Sequence, residues 1–148
     1  MSADRRAIAL TVVSCAGVVV AVYLTVAHYA GAPLACVTTG LLDCDAVTNS
    51  TFSIIPGTNV PVTLAGLAWF ALSGVASAVG LTGREPSWLR PAHVIWSLVG
   101  LATVLYLVYA ELVVIHRICE WCTVIHILVT ATFALALLRA QDVADDGD

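Results

Sequence analysis

Lysine is absent from this chain and charge of either sign is scarce: of 148 residues only 11% are charged, and all six cations are arginine. With no basic patch and a net charge of −4, a nucleic-acid surface is excluded. A soluble domain would carry charge on about a quarter of its residues. Here 60% of residues are hydrophobic and mean hydropathy is +0.97, so the surplus apolar surface needs lipid as its solvent. Any long polar stretch is missing too, which leaves no room for a second, soluble domain. No internal repeat is visible.

What is there is a series of apolar runs. At about 20 residues per spanning helix, they predict an all-α fold: a single polytopic membrane domain over 1–148, built as a four-helix bundle with spans at about 7–30, 61–81, 91–115 and 119–138. The first run is too long for the apolar core of a signal peptide and reads as a retained anchor. Between the first two spans lies a joint over 31–60, broken by Pro33, Gly40, Pro56 and Gly57 yet carrying Leu41, Leu42, Val47, Phe52, Ile54 and Ile55. Such a mixture predicts a partly helical loop that lies at the interface and caps the bundle. Small residues in the second span, among them Gly66, Ser73, Gly74 and Ser77, predict close helix packing. Residues 139–148, with Asp142, Asp145, Asp146 and Asp148, read as a disordered, solvated acidic tail. Trp121, Trp88 and Tyr29 read as interface anchors, and Trp69 and Trp96 as lipid- or core-facing bulk.

Arginine placement predicts the orientation. With four spans, Arg5, Arg6, Arg84, Arg90 and Arg139 share one side and Arg117 alone occupies the other. The excess puts both termini on the cytoplasmic side of the plasma (cell inner) membrane. Cys36, Cys44, Cys119 and Cys122 then emerge together on the extracytoplasmic, oxidising side, while Cys15 lies mid-span as a small hydrophobe.

Three arrangements suit the four boundary cysteines. They can staple an external cap, although a Cys-x-x-Cys bridge closes almost no chain and stabilises little. They can hold zinc, although seven residues separate Cys36 from Cys44 where two to four are usual. Or they can form a thiol–disulfide relay, with one pair on a mobile loop and the other fixed at a helix start beside a membrane electron acceptor. Thiols at i and i+3 on the first turn of a helix also sit at the positive end of its dipole, which favours thiolate.

The ordered set Cys36-x7-Cys44, Ser50 six residues on, and Cys119-x-x-Cys122 heading the last span resembles the vitamin K epoxide reductase (VKOR) family over nearly the whole chain. The other four-helix thiol–quinone family, DsbB, has its cysteine pairs in the reverse order. Lacking a fused thioredoxin-like domain, the chain is similar to stand-alone bacterial forms that serve a separate, DsbA-type extracytoplasmic protein. The resemblance implies that Cys36 accepts electrons from that partner through a mixed disulfide and that the loop swings Cys44 to Cys119. Cys119 and Cys122 then reduce a membrane quinone of the menaquinone or ubiquinone type, with Cys122 nearest the ring. It also implies a supporting role for Ser50, for which a local loop hydrogen bond is the alternative.

Two positions depart from the animal enzymes. Their Tyr four residues after the second active cysteine is His126 here, and no Asn lies between Pro61 and Leu81, leaving Thr63 as the nearest polar candidate. Simple quinone reduction is therefore expected rather than reduction of vitamin K epoxide. His126 shares a helix face with Cys122 and is placed to hydrogen-bond a quinone oxygen or deliver a proton. Glu111, eight residues before Cys119, is an acid at membrane depth and invites the same reading. For both residues, a structural hydrogen bond within the bundle is the alternative.

Overall fold

The computed structural model describes residues 3–145. Four long helices carry it: α1 (Ala3–Ala30), α3 (Val62–Leu81), α4 (Leu89–Tyr109) and α5 (Glu120–Asp145). Each is long and apolar enough to cross a membrane, the third candidate span running Leu89–Ile115. Among the described residues there are no strands, only isolated bridges. The protein is thus an all-α membrane bundle, with α1 packed on α3 and α5 and α4 packed on α5. Val12, Val19, Ile95 and Leu105 point outward, as a lipid-solvated surface requires.

The core depends on small residues facing large rings. A Cβ at Gly17 would overlap the Phe70 ring, and one at Gly100 would overlap the Trp69 indole. Trp69 and Trp96 stack at 6.4 Å, and each indole N–H donates to the other's carbonyl, at 3.2 and 3.4 Å. That pairing satisfies two polar groups that lipid could not. Ser73 and Ser77 are fully buried, and Thr11 donates to Ser77 at 3.0 Å across the α1–α3 contact. The small residues of α3 therefore do what such residues do in lipid, letting backbones approach.

The tail is the clearest departure from expectation. A disordered segment was expected from Arg139, yet α5 runs on to Asp145. Its charges find partners across the bundle end, so the helix has no reason to stop. Arg139 is buried and bonds Glu85 at 2.9 Å, Arg90 bonds the same carboxylate oxygen at 2.7 Å, and Arg6 bonds both the Leu138 carbonyl and Asp142, the latter at 2.6 Å. Asp146 and Asp148 lie outside the described residues. The joint after α3 is likewise less solvated than its composition implies, since Glu85 is buried.

The cap between α1 and α3 contains a short helix α2 (Cys44–Thr48) and a single 3₁₀ turn at Thr51–Ser53. At its C-terminal end α4 widens into a π-helical turn over Ala110–Ile115, closed by His116 in the left-handed conformation (φ 55°), with the Arg117 N–H bonding back to the Glu111 carbonyl at 3.1 Å. The chain then turns directly into α5.

Candidate active site

Cys119 occupies the N-cap position of α5. Its sulfur accepts the Cys122 N–H at 3.2 Å, and its carbonyl accepts the Thr123 N–H at 2.9 Å, so the sulfur stands where a capping Ser or Asp oxygen would. The Cys119 thiol is held below its ordinary pKa. The main cause is a hydrogen bond from the Cys122 thiol, aided by the Cys122 and Trp121 backbone N–H groups; burial and the Glu111 charge work against it. Cys119 is fully buried, and Cys122, one turn along, is half-buried.

The loop pair lies against this turn. Cys36 and Cys44 are joined as a disulfide with Cα atoms 6.2 Å apart, while Cys119 and Cys122 are free thiols. Cys44 opens α2, capped by Asp43, whose carboxylate accepts the Ala46 N–H at 3.0 Å. The loop that carries Cys44 is bonded to the residue before Cys119. The Asp43 N–H bonds the Ile118 carbonyl at 3.0 Å, and the Ile118 N–H bonds the Leu41 carbonyl at 2.9 Å, a parallel bridge that fixes the loop to the residue before Cys119. Cys44 and Cys119 are thereby buried in one cluster, with Cys36, Cys122, Leu34 and Ile115 packed around them.

Beside the cluster lies a cavity of about 350 Å³, closed above by the loop and walled by α1, α3, α4 and α5. Cys122, His126, Glu111, Ser50 and Thr63 all line it. Glu111 is buried within the π-helical turn, its carboxylate bonded by the Cys119 backbone N–H, and His126 is buried one turn beyond Cys122. Ser50 gives its proton to the Val47 carbonyl at 2.7 Å, the local loop bond. The Thr63 hydroxyl oxygen is buried and has no hydrogen-bond partner among the described residues. A second, more open groove of about 660 Å³ runs down the outer face between α4 and α5, past Leu105, Ile127 and Ala134, and shares Glu111 and His126 with the inner cavity. Among the described residues no group of three or more His, Cys, Asp or Glu side chains is placed to hold a metal ion.

A family model described as the vitamin K epoxide reductase family matches residues 8–137. The chain belongs to that family. No curated protein matches it significantly. Membership in the VKOR family, together with four candidate membrane helices, makes the protein a membrane oxidoreductase.

Two contributors escaped the sequence reading. Trp121, read as an interface anchor, also donates its indole N–H to the Ala35 carbonyl at 2.8 Å, while Trp88 and Tyr29 are exposed. Tyr23 packs its ring on Trp121 at 4.9 Å and accepts the Ala35 N–H at 2.9 Å. Nothing in the sequence pattern of α1 marks Tyr23, because its role comes from where α1 passes α5.

Proposed function

We propose that the protein is a thiol:quinone oxidoreductase that reoxidises a separate, extracytoplasmic thioredoxin-like protein and passes two electrons to a membrane quinone. The carrying observation is the shared burial of Cys44 and Cys119 directly beside a cavity lined by Cys122, Glu111 and His126. A reduced partner attacks the half-exposed Cys36 sulfur, releasing Cys44 as thiolate. The partner's second thiolate attacks the mixed disulfide, so that the partner leaves oxidised and Cys36 is freed as thiolate. Cys44 attacks Cys119 in the oxidised Cys119–Cys122 pair, releasing Cys122 as thiolate, and Cys36 then attacks Cys44, displacing Cys119 and restoring the loop disulfide.

The cavity suits a flat ring bearing carbonyl oxygens: the unpartnered Thr63 hydroxyl supplies a donor on one wall, and Glu111 and His126 supply polar groups on another. A quinone takes up two electrons and two protons when bound there. Cys122 faces that space as the terminal donor, His126 and Glu111 hold and move protons at its edge, and Ser50 keeps the loop closed over it. The α4–α5 groove offers a lipid-borne quinone a route to the same two polar residues. The site faces the extracytoplasmic side, because Arg6, Arg90 and Arg139 gather at the opposite end of the bundle while Arg117 alone stands near the cysteines.

The test uses purified protein with a short-chain quinone and a reduced thioredoxin-like protein. Cys122→Ser abolishes quinone reduction, whereas Cys36→Ser blocks the protein-driven reaction and leaves turnover with a small dithiol. Full quinone turnover by Cys122→Ser overturns the assignment of the terminal donor.

A further inference from the structure

The residues between the two helix thiols are Glu120 and Trp121, and both reach back to the loop segment that carries Cys36. The Trp121 indole N–H donates to the carbonyl of Ala35, one residue before Cys36. The N–H of Val37, one residue after it, donates to a Glu120 carboxylate oxygen at a longer 3.4 Å. From α1, the Tyr23 hydroxyl accepts the Ala35 N–H at 2.9 Å while its ring braces Trp121. Both backbone polar groups of Ala35 are therefore held by side chains, one of them from within the Cys-x-x-Cys itself. Beyond Cys36 the loop is stitched again, Leu41 and Asp43 to Ile118.

We propose that Tyr23 and Trp121 are positioning residues that hold the Cys36 segment in register with the helix pair, so that exchange between the pairs proceeds without an excursion of the loop. The proposal rests on the relay given above. In that exchange the Cys44 thiolate forms a bond to Cys119 sulfur as the Cys119–Cys122 bond breaks, and Cys122 takes the electron pair. Cys36 thiolate then bonds Cys44, and Cys119 leaves as thiolate. Two electrons move to the helix pair, and the loop ends oxidised. Each displacement needs three sulfurs nearly in line, so a loop held on both sides of Cys36 raises the effective concentration of one pair at the other. Cys36 itself is left half-exposed between its two fixed neighbours, open to a partner thiolate.

The experiment uses the full-length chain with Cys15→Ser, Cys36→Ser and Cys122→Ser, in which Cys44 and Cys119 are the only thiols. Their disulfide is titrated against a glutathione redox buffer. Tyr23→Phe, which keeps the ring contact, and Trp121→Phe each lower the equilibrium constant for the Cys44–Cys119 disulfide by roughly two- to tenfold, the worth of one net hydrogen bond. In a Cys15→Ser, Cys36→Ser, Cys44→Ser background, the Cys119–Cys122 equilibrium with glutathione is the same with and without the Tyr23 hydroxyl. An unchanged Cys44–Cys119 equilibrium in both Phe variants overturns the proposal. So does an equal shift in the isolated helix pair, which would mean that Tyr23 acts on that pair rather than on register. If the parent triple variant forms no Cys44–Cys119 disulfide even in fully oxidising buffer, the relay itself fails.

Discussion

Cys122→Ala is the sharpest probe of the Cys119–Cys122 turn, because it removes the thiol that donates to Cys119 and leaves the backbone donors of α5 in place. Hydrogen bonds to charged groups contribute about 1.5–3 kcal/mol, and about 1.4 kcal/mol is a factor of ten in a protonation equilibrium. At a pH below its titration, the thiolate fraction of Cys119 should therefore fall by roughly ten- to a hundredfold. The sign follows from the direction of the shift. Cys119 titrates below an ordinary thiol, so its thiolate persists into less alkaline solution, and losing the Cys122 donor moves the titration toward higher pH. Exchange rates change less, because intrinsic nucleophilicity rises with pKa and offsets about half of the logarithmic loss, leaving roughly a three- to tenfold deficit. The assay is ultraviolet thiolate absorbance against pH, in a Cys15→Ser background with the loop disulfide intact, which reads a buried sulfur without needing reagent access. Cys122→Ser is the comparator: its hydroxyl can still donate, so its titration should lie near that of the parent. Coincident curves for the Ala and Ser variants would refute the claim that the Cys122 side chain holds the Cys119 thiolate.

At the opposite end of the bundle, Glu85→Gln removes the carboxylate that Arg90 and the buried Arg139 both bond, and should cost about 3–5 kcal/mol in unfolding from detergent while leaving the Cys119 titration unmoved. A loss below about 1 kcal/mol, the range of an exposed surface pair, would mean that the cluster does not close the bundle. His126→Phe keeps a ring in the cavity wall but removes its nitrogens. Steady-state quinone reduction should fall about hundredfold or more in kcat with KM changed far less, and an unchanged kcat would remove His126 from proton handling.

The spans were legible because lipid imposes a single demand on about 20 successive residues. The convergence of Cys122 and His126 was legible because residues four apart share a helix face. The rest depended on contacts between distant segments. Glu85 and Arg139 stand 54 residues apart, and each looks solvated alone; only when paired can they be buried, and only then does α5 continue past Arg139. The composition of the loop is that of a turn and does not show that its backbone pairs with Ile118, an apolar residue 75 or more positions away. Nothing in Ala110–Ile115 announces a π-helical turn, since such turns arise from packing rather than from propensity.

That turn links the two halves of the site. An α-helix continued through Ala110–Ile115 would tighten the backbone by roughly one residue per turn relative to the π-helical winding and rotate Glu111 away from its present direction. With the wider winding, the Glu111 carbonyl closes the turn by accepting from His116 and Arg117, while its side chain meets the Cys119 N–H and lines the cavity. The same turn ends in the left-handed His116, which redirects the chain at once so that Ile118 lies beside the loop and Cys119 caps α5. A left-handed conformation at a non-glycine residue costs of order 1 kcal/mol and persists only where its surroundings demand it. Here they do: Ile118 paired to the loop and Glu111 turned into the cavity both depend on the chain reversing within two residues. Cys119, Cys122 and the acid beside them are thus placed by a single local distortion.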